Sequence, residues 1–183
     1  GKFLEAYDLC KKNNLKMVYG AELYMVKDRK EKDNSNYHII IIAKNQDGFY
    51  EINEIMSESN RSVFYYKIRI DIEMIKRLNP KNFFITSACV GGILRPSDDM
   101  KTLFEAVYGH FGKNFYLEVQ NHPFDIQINH NRNMLMLKQH YNMQIIHAND
   151  SHYIYPEQAK DRVKFLKGKG INYGDEDSFV LDF

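Results

Sequence analysis

The sequence predicts an α/β fold, because segments with strand character alternate along the chain with segments of helical periodicity. At 183 residues the chain is long enough for one domain with a sizeable core. Hydrophobic residues make up 44% of it and charged residues 27%, as in ordinary globular proteins. We therefore expect a mostly parallel sheet, either open or closed into a barrel, with helices packed against it.

The elements follow from apolar spacing and turn residues. Apolar side chains recur at helical spacing from Phe3 to Cys10, and Asn13 ends this first helix. Segment 37–43 contains four consecutive isoleucines, which predict a strand buried on both faces. The charged loop 27–32 before it is predicted to be a solvated hairpin tip. The other predicted strands span 16–26, 83–89, 115–120 and 143–149, and the other helices span 46–59, 72–78, 98–111, 127–141 and 156–167.

Composition argues against several classes of protein. Lys and Arg number 25 and Asp and Glu 24, so the basic footprint of a nucleic-acid-binding domain is missing, although DNA contact through a partner domain stays open. Two cysteines, Cys10 and Cys89, form no disulfide framework and favour a reducing compartment, so we expect a cytoplasmic protein. Apolar runs are shorter than the roughly 20 residues of a membrane span, so no membrane partner is expected.

The run from Asn149 to Tyr153 predicts half of a metal site. Residues two apart in a strand point to the same face, so Asp150 and His152 would project together from the end of the preceding strand. They would place a carboxylate oxygen beside an imidazole nitrogen. An Asn-Asp-Ser cluster is also ordinary turn chemistry, so this run alone leaves both interpretations open.

Other predicted strands also lead to potential ligands. Functional residues of parallel α/β folds gather at the carboxyl ends of strands. Cys89 ends the predicted strand 83–89, His122 follows the strand 115–120, and Glu22 lies beyond Gly20 in the strand 16–26. His38 opens its strand, and it reaches the same rim if that strand runs antiparallel to the first one. Mixed nitrogen, oxygen and sulfur donors favour Zn²⁺, Mn²⁺ or Fe²⁺ over Ca²⁺. Several such ions held together would clamp a phosphate and activate water.

Each of these residues also has a purely structural interpretation. Cys89 taken alone is more often a small buried hydrophobe, and His38 beside isoleucines is more often a core histidine. Glu22 is harder to explain in this way, since an unpaired carboxylate in a buried strand is costly. The set as a whole is far less expected by chance than any member, which favours a metal site. No role is assigned to His110, His130, His140 and His147, which are interpreted as surface or helix residues.

Five segments resemble a known family. They are Tyr-Gly-Ala-Glu-Leu-Tyr at 19–24, Tyr-His with isoleucines and Ala-Lys-Asn at 37–45, Ser-Ala-Cys-Val-Gly-Gly at 87–92, Phe-Tyr-Leu-Glu-Val-Gln-Asn-His at 115–122, and Asn-Asp-Ser-His-Tyr at 149–153. With these five segments in this order, the chain resembles the PHP (polymerase and histidinol phosphatase) domain at the amino end of bacterial DNA polymerase III alpha subunits. The segments at 87–92 and after Pro156 are similar to the polymerase branch of that family.

The resemblance implies a PHP-type distorted (βα)7 barrel, similar to a TIM barrel, with a centre of two or three metal ions. The residues that match ligand positions of the family are Glu22, His38, Cys89, His122, Asp150 and His152. The family's opening strand with its His-x-His pair, and the Asp-His pair after it, have no counterpart here. We therefore expect 1–183 to be a single PHP domain fragment, truncated at its amino end, without its first strand or strands and with an exposed sheet edge.

The resemblance implies a role in DNA replication. The chain would belong to a DNA-directed DNA polymerase, a nucleotidyltransferase, whose downstream domains would be its partners and would bring it to DNA. The domain would be a metal-dependent phosphoesterase or 3′→5′ exonuclease using Zn, Mn or Fe ions, or a structural support for the polymerase. Two alternatives stay open: a degenerate, non-catalytic scaffold, and a free-standing phosphoesterase of the histidinol-phosphatase type.

Overall fold

A computed structural model describes residues 2–32, 34–62 and 64–170 of the chain. The chain divides into two compact units, with the boundary between Tyr116 and Leu117. Gly1 and everything after residue 170, including the expected end of the fragment, lie outside the described residues. None of the helices in the described part is both long enough and apolar enough to cross a membrane.

Strands and helices alternate through both units. The first unit contains α1 (Phe3–Lys12), β1 (Gly20–Val26), β2 (Tyr37–Ala43), α2 (Gln46–Ser62), β3 (Arg69–Asp71), α3 (Ile72–Arg77), β4 (Phe83–Thr86), α4 (Met100–Phe111) and the start of β5 (Phe115–Gln120). The second unit contains the rest of β5, α5 (Asp125–Tyr141), β6 (Gln144–Ala148) and α6 (Ala159–Gly168). Short 3-10 turns lie at Pro80–Asn82, Gly112–Asn114 and Pro156–Gln158.

The sheet is mixed rather than mostly parallel. β1 and β2 are antiparallel, with Tyr24 opposite His38, and β2 and β4 are antiparallel as well. β3 runs parallel to β1, and β4 runs parallel to β5. The antiparallel pairing expected to bring His38 to the rim of the first strand is therefore confirmed. The prediction of a mostly parallel sheet is wrong, because β1 and β2 form a hairpin with no crossover helix between them.

The strands follow the hydrogen-bonded order β3-β1-β2-β4-β5-β6, and β5 crosses the boundary between the units. This order has two ends, so over the described ranges the strands do not close into a barrel. The α/β class is confirmed, whereas the closed (βα)7 barrel is not found. β6, at one end of the order, has no buried residue, as expected for an exposed edge.

One face of the first unit's sheet packs into the core, and the other is more open. In β2, Ile39 and Ile41 are fully buried, whereas Ile40 and Ile42 keep intermediate exposure. The prediction of a strand buried on both faces is therefore wrong at these two alternate positions. Since Glu22 lies opposite Ile40, the open face also carries the first potential ligand.

The charged loop after β1 is a solvated hairpin tip, as predicted, except at Arg29, which is buried. The Nη1 atom of Arg29 donates to both carboxylate oxygens of Asp71 at 3.0 Å, and its Nη2 donates to Glu58 at 2.9 Å. Arg69 in turn donates to the backbone carbonyl of Arg29 at 3.0 Å. Arg29 is only 7% exposed, because carboxylates on β3 and α2 surround its guanidinium. The loop is thereby fastened to β3.

Candidate metal centre

Glu22, His38 and Cys89 form a first donor cluster within the first unit. The Nδ1 atom of His38 lies 2.9 Å from Oε1 of Glu22 and 3.5 Å from Sγ of Cys89. Glu22 and His38 stand on the paired strands β1 and β2, and Cys89 follows β4. The structure thus brings together an oxygen, a nitrogen and a sulfur donor that the sequence analysis selected.

The loop after β4 holds His38 through backbone hydrogen bonds on both sides. The N–H of His38 donates to the Gly91 carbonyl, and the N–H of Ile93 donates to the His38 carbonyl, each at 3.0 Å. A Cβ atom at Gly92 would lie 2.0 Å from the carbonyl oxygen of Ser87, so only glycine fits there. The Gly91-Gly92 pair predicted a turn, but its role in holding His38 was not visible from the sequence.

The surroundings of His38 favour a positive charge. Its contact with Cys89, followed by its contact with Glu22, raises the pKa of His38 to about 9, against the opposing effect of burial. The proton therefore stays on the imidazole at neutral pH and balances the carboxylate. A metal ion would have to displace this proton, because histidine binds metals in its neutral form.

The glycine at position 91 lies beside two of the donors. A Cβ atom there would lie 3.6 Å from Nδ1 of His38 and 3.7 Å from Sγ of Cys89. Such distances are ordinary van der Waals contacts, so Gly91 packs directly against both donors.

His122, Asp150 and His152 belong to the second unit and form a second donor cluster. The Nδ1 atom of His152 lies 2.6 Å from the backbone oxygen of Asp150 and 3.8 Å from its carboxylate Oδ1. β6 ends at Ala148, and Asp150 has a left-handed φ of 50°. The two side chains are close, as predicted, but a turn rather than a strand brings them together. Aspartate tolerates this backbone conformation better than most residues, so the turn chemistry of the run prevailed.

His122 has a buried ring nitrogen without a partner. Its Nδ1 is buried and accepts or donates no hydrogen bond within the described part of the chain. Desolvation lowers the pKa of His122, opposed by Asp150 and assisted by His152 and His147. The neutral imidazole that results is the form that binds metal ions. His147, to which the sequence analysis gave no role, therefore belongs to the electrostatic surroundings of this cluster.

The donor types of both clusters fit a transition-metal site, but neither cluster is preformed. Over residues 2–32, 34–62 and 64–170, no group of three or more His, Cys, Asp or Glu side chains is arranged to hold a metal ion. The buried, unpartnered nitrogen of His122 supports a ligand role for this residue. A bound ion would therefore have to draw its ligands into place.

Two of three further polar side chains have structural contacts. His110 contacts the carbonyl oxygen of Leu78 through Nε2 at 2.7 Å, beyond the last residue of α3. His130 is buried in α5. Glu118 is buried in β5, where its carboxylate accepts a hydrogen bond from Gln120 at 2.9 Å. These contacts account for His110 and Glu118 without a metal ion, whereas the buried Nε2 of His130 has no hydrogen-bond partner among the described residues.

Comparison with known proteins identifies the family. The PHP domain model matches residues 2–122, which include four of the six predicted ligands. The chain belongs to the PHP family. The DNA polymerase III subunit alpha of Borreliella burgdorferi is 30% identical over 193 aligned residues, covering 98% of this chain and 17% of the relative. The predicted resemblance is therefore confirmed.

Two further relatives are similar over slightly less of the chain. The DNA polymerase III subunit alpha of Aquifex aeolicus is 28% identical over 171 residues, covering 82% of this chain and 14% of the relative. That of Thermus aquaticus is 26% identical over 170 residues, covering 86% of this chain and 14% of the relative. This PHP chain thus spans only 14 to 17% of the length of these three relatives.

Proposed function

We propose that this chain is the PHP region of a DNA polymerase III alpha-type protein that acts in DNA replication. The alignment with such subunits over nearly the whole chain supports this proposal. Residues 1–183 would be one PHP domain fragment of a longer polymerase chain, and its partners would be the polymerase domains of that chain. DNA would be contacted through the full polymerase, in the cytoplasm. The same alignments favour this assignment over a free-standing phosphoesterase of the histidinol-phosphatase type.

The finer fold is part of the same proposal. An open sheet with the exposed strand β6 is compatible with a distorted (βα)7 barrel completed by strands outside this chain. The much greater length of the relatives leaves room for such strands. Further metal ligands of the family would lie on them.

Within the full protein, the two donor clusters would hold divalent Zn, Mn or Fe ions and hydrolyse phosphodiester bonds, as a 3′→5′ exonuclease. The convergence of Glu22 and Cys89 on one ring nitrogen of His38 carries this proposal. A bound ion would act as a Lewis acid toward a phosphoryl oxygen. Glu22 supplies negative charge to the site, and the loop after β4 sets the orientation of His38. In the second unit, the ligands would be His122, Asp150 and His152.

A structural scaffold for the polymerase is the second candidate. The absence of a preformed group of three ligands over the described ranges favours it. It differs from the first candidate in two measurable properties, which are the metal content of the full protein and its hydrolytic activity.

The deciding experiment measures bound metal and nuclease activity in the full protein. We expect bound transition metal by mass spectrometry and release of nucleotides from the 3′ end of a labelled oligonucleotide. His38→Gln should weaken metal affinity by at least the roughly 100-fold that loss of an outer-sphere partner can cost. The exposed His140 provides the matched control, His140→Gln, which should retain both properties. A folded full protein without metal and without hydrolysis would be the scaffold.

A further inference from the structure

Lys67 lies beside the first donor cluster, although it is distant from its residues in sequence. Tyr24 pairs with His38 across β1 and β2, so both side chains and that of Glu22 stand on the same open face. The rings of Tyr24 and His38 are in edge contact, with their centroids 5.2 Å apart. The Nζ atom of Lys67 lies 4.0 Å from the centroid of the Tyr24 ring. The ammonium group and the imidazole thus contact the same aromatic ring.

A tight turn holds Lys67 in this position. The N–H of Lys67 donates to the carbonyl of Tyr65 at 2.7 Å, which closes the turn around Tyr66. Tyr66 has a left-handed φ of 57°, a conformation that costs a bulky residue on the order of 1 kcal/mol. Its side chain is 82% exposed, so burial of Tyr66 does not explain the cost. The turn is better explained by the position over the Tyr24 ring that it gives to Lys67.

Two other cations close to this part of the sheet pair with carboxylates, but Lys67 does not. Lys27 pairs with Asp99 at 2.8 Å, and Arg29 pairs with Asp71 at 3.0 Å. Among the described residues, the ammonium group of Lys67 lies over the face of Tyr24 and pairs with no carboxylate. A cation–π contact contributes roughly 0.5–1 kcal/mol at an exposed site and leaves the ammonium able to bind an anion.

We propose that Lys67 binds a phosphate oxygen of the substrate at the first donor cluster. This inference rests on the proposed phosphoesterase function and adds to it the residue that recognises the phosphate. Lysine suits this role because it acts as a compact point charge toward phosphate. Its positive charge would offset the negative charge of the phosphate, which the carboxylate of Glu22 and the thiol of Cys89 cannot offset. The same contact would serve the phosphate of a nucleotide or free inorganic phosphate.

The test compares anion binding by the full protein and its variants, after the metal content of each has been measured. The probes for calorimetry are dTMP, inorganic phosphate and thymidine, which lacks the phosphate group. Lys67→Gln should weaken the binding of dTMP by about tenfold or more and leave both metal content and thymidine binding unchanged. Lys67→Arg should retain most of the dTMP affinity. Lys101, whose side chain is 83% exposed, provides the control Lys101→Gln, which should bind like the parent.

The outcomes separate this inference from the proposed function. An equal loss of inorganic phosphate binding supports a general phosphate contact, and a loss confined to dTMP supports a nucleotide phosphate. Unchanged dTMP affinity in a metal-loaded Lys67→Gln protein overturns the inference and leaves the proposed function intact. A metal-free parent that binds dTMP through Lys67 overturns the proposed function alone. A parent that binds none of the anions overturns the inference, whatever its metal content.

Discussion

The two donor clusters are built differently, although both contain a histidine next to a carboxylate. In the first, Glu22 and His38 stand on paired strands, and the backbone of His38 is hydrogen-bonded on both sides by the loop after β4. In the second, Asp150 and His152 lie in a turn beyond β6, and the Nδ1 atom of His152 contacts a backbone oxygen. Strand pairing thus orients the first cluster in advance, whereas only local turn contacts orient the second.

This difference predicts which donor side chains are sensitive to changes elsewhere in the fold. Donors on a sheet keep their positions as long as the register and the supporting loop remain, so distant changes in packing should disturb them strongly. Donors in a turn depend mainly on their own backbone and on burial nearby. Three sets of substitutions test this comparison, in order of decreasing expected effect.

The largest effect is expected for Gly92→Ala in the loop that supports His38. The new Cβ atom would meet the backbone oxygens of Ser87 and Cys89 at 2.0 and 2.9 Å, and neither can move away without breaking the loop. We expect a loss of more than about 4 kcal/mol in the free energy of unfolding, measured by urea denaturation. Gly91→Ala is the matched control, since its nearest contact is at an ordinary 3.6 Å and should cost less than about 1 kcal/mol. Equal losses in the free energy of unfolding would show that the backbone around position 92 moves and relieves the close approach.

A smaller loss is expected from Arg29→Met, which releases the loop between the two strands of the first cluster. The side chains of Arg29 and Asp71 are 9% and 4% exposed, so the substitution leaves a buried carboxylate without its guanidinium. We expect a loss of about 3 kcal/mol in the free energy of unfolding.

Two companion variants test the origin of that loss. Lys30→Met, at an exposed position of the same loop, should leave stability within about 0.5 kcal/mol of the parent. Adding Asp71→Asn to Arg29→Met should recover part of the loss, because it removes the buried charge and retains the side-chain oxygen that caps α3. No recovery would assign the loss to packing of Arg29 instead of charge.

The smallest effect is expected for the pH dependence of stability that comes from His130 in the second unit. Burial lowers the pKa of His130 in α5 below its ordinary value of 6.5. The unfolded chain therefore takes up the proton first, so stability from this residue is full above pH 6.5 and is lost as the pH falls below it. The contribution of this one residue to the slope of the unfolding free energy against pH cannot exceed about 1.4 kcal/mol per pH unit.

His130→Leu should flatten this part of the stability curve, measured by urea denaturation between pH 7 and pH 5. His140→Leu changes an exposed residue of the same helix and should keep the slope of the parent. An unchanged slope in His130→Leu would mean that His130 takes up a proton as readily in the folded chain as in the unfolded one.

Local patterns predicted most of the elements and all three members of the first cluster. The helix from Phe3, the strands 37–43 and 115–120, and the strand character of β1 appear close to their predicted bounds. The strand predicted at 83–89 ends earlier, at Thr86, since the loop that supports His38 begins there. The three-residue strand β3 was missed, because so short a segment carries no readable periodicity.

The sequence by itself determined the α/β class, the similarity to PHP domains and the chemical types of the donors, because residue identity and spacing of two or 3.6 residues are local properties. Tertiary structure alone decided that Arg29 is buried, that Asp150 turns away from its strand, and that Lys67 contacts the ring next to His38. Each of these outcomes depends on strand pairing or backbone conformation among residues that no local pattern relates. The physical reason is that the partner of a charged side chain is selected by the fold.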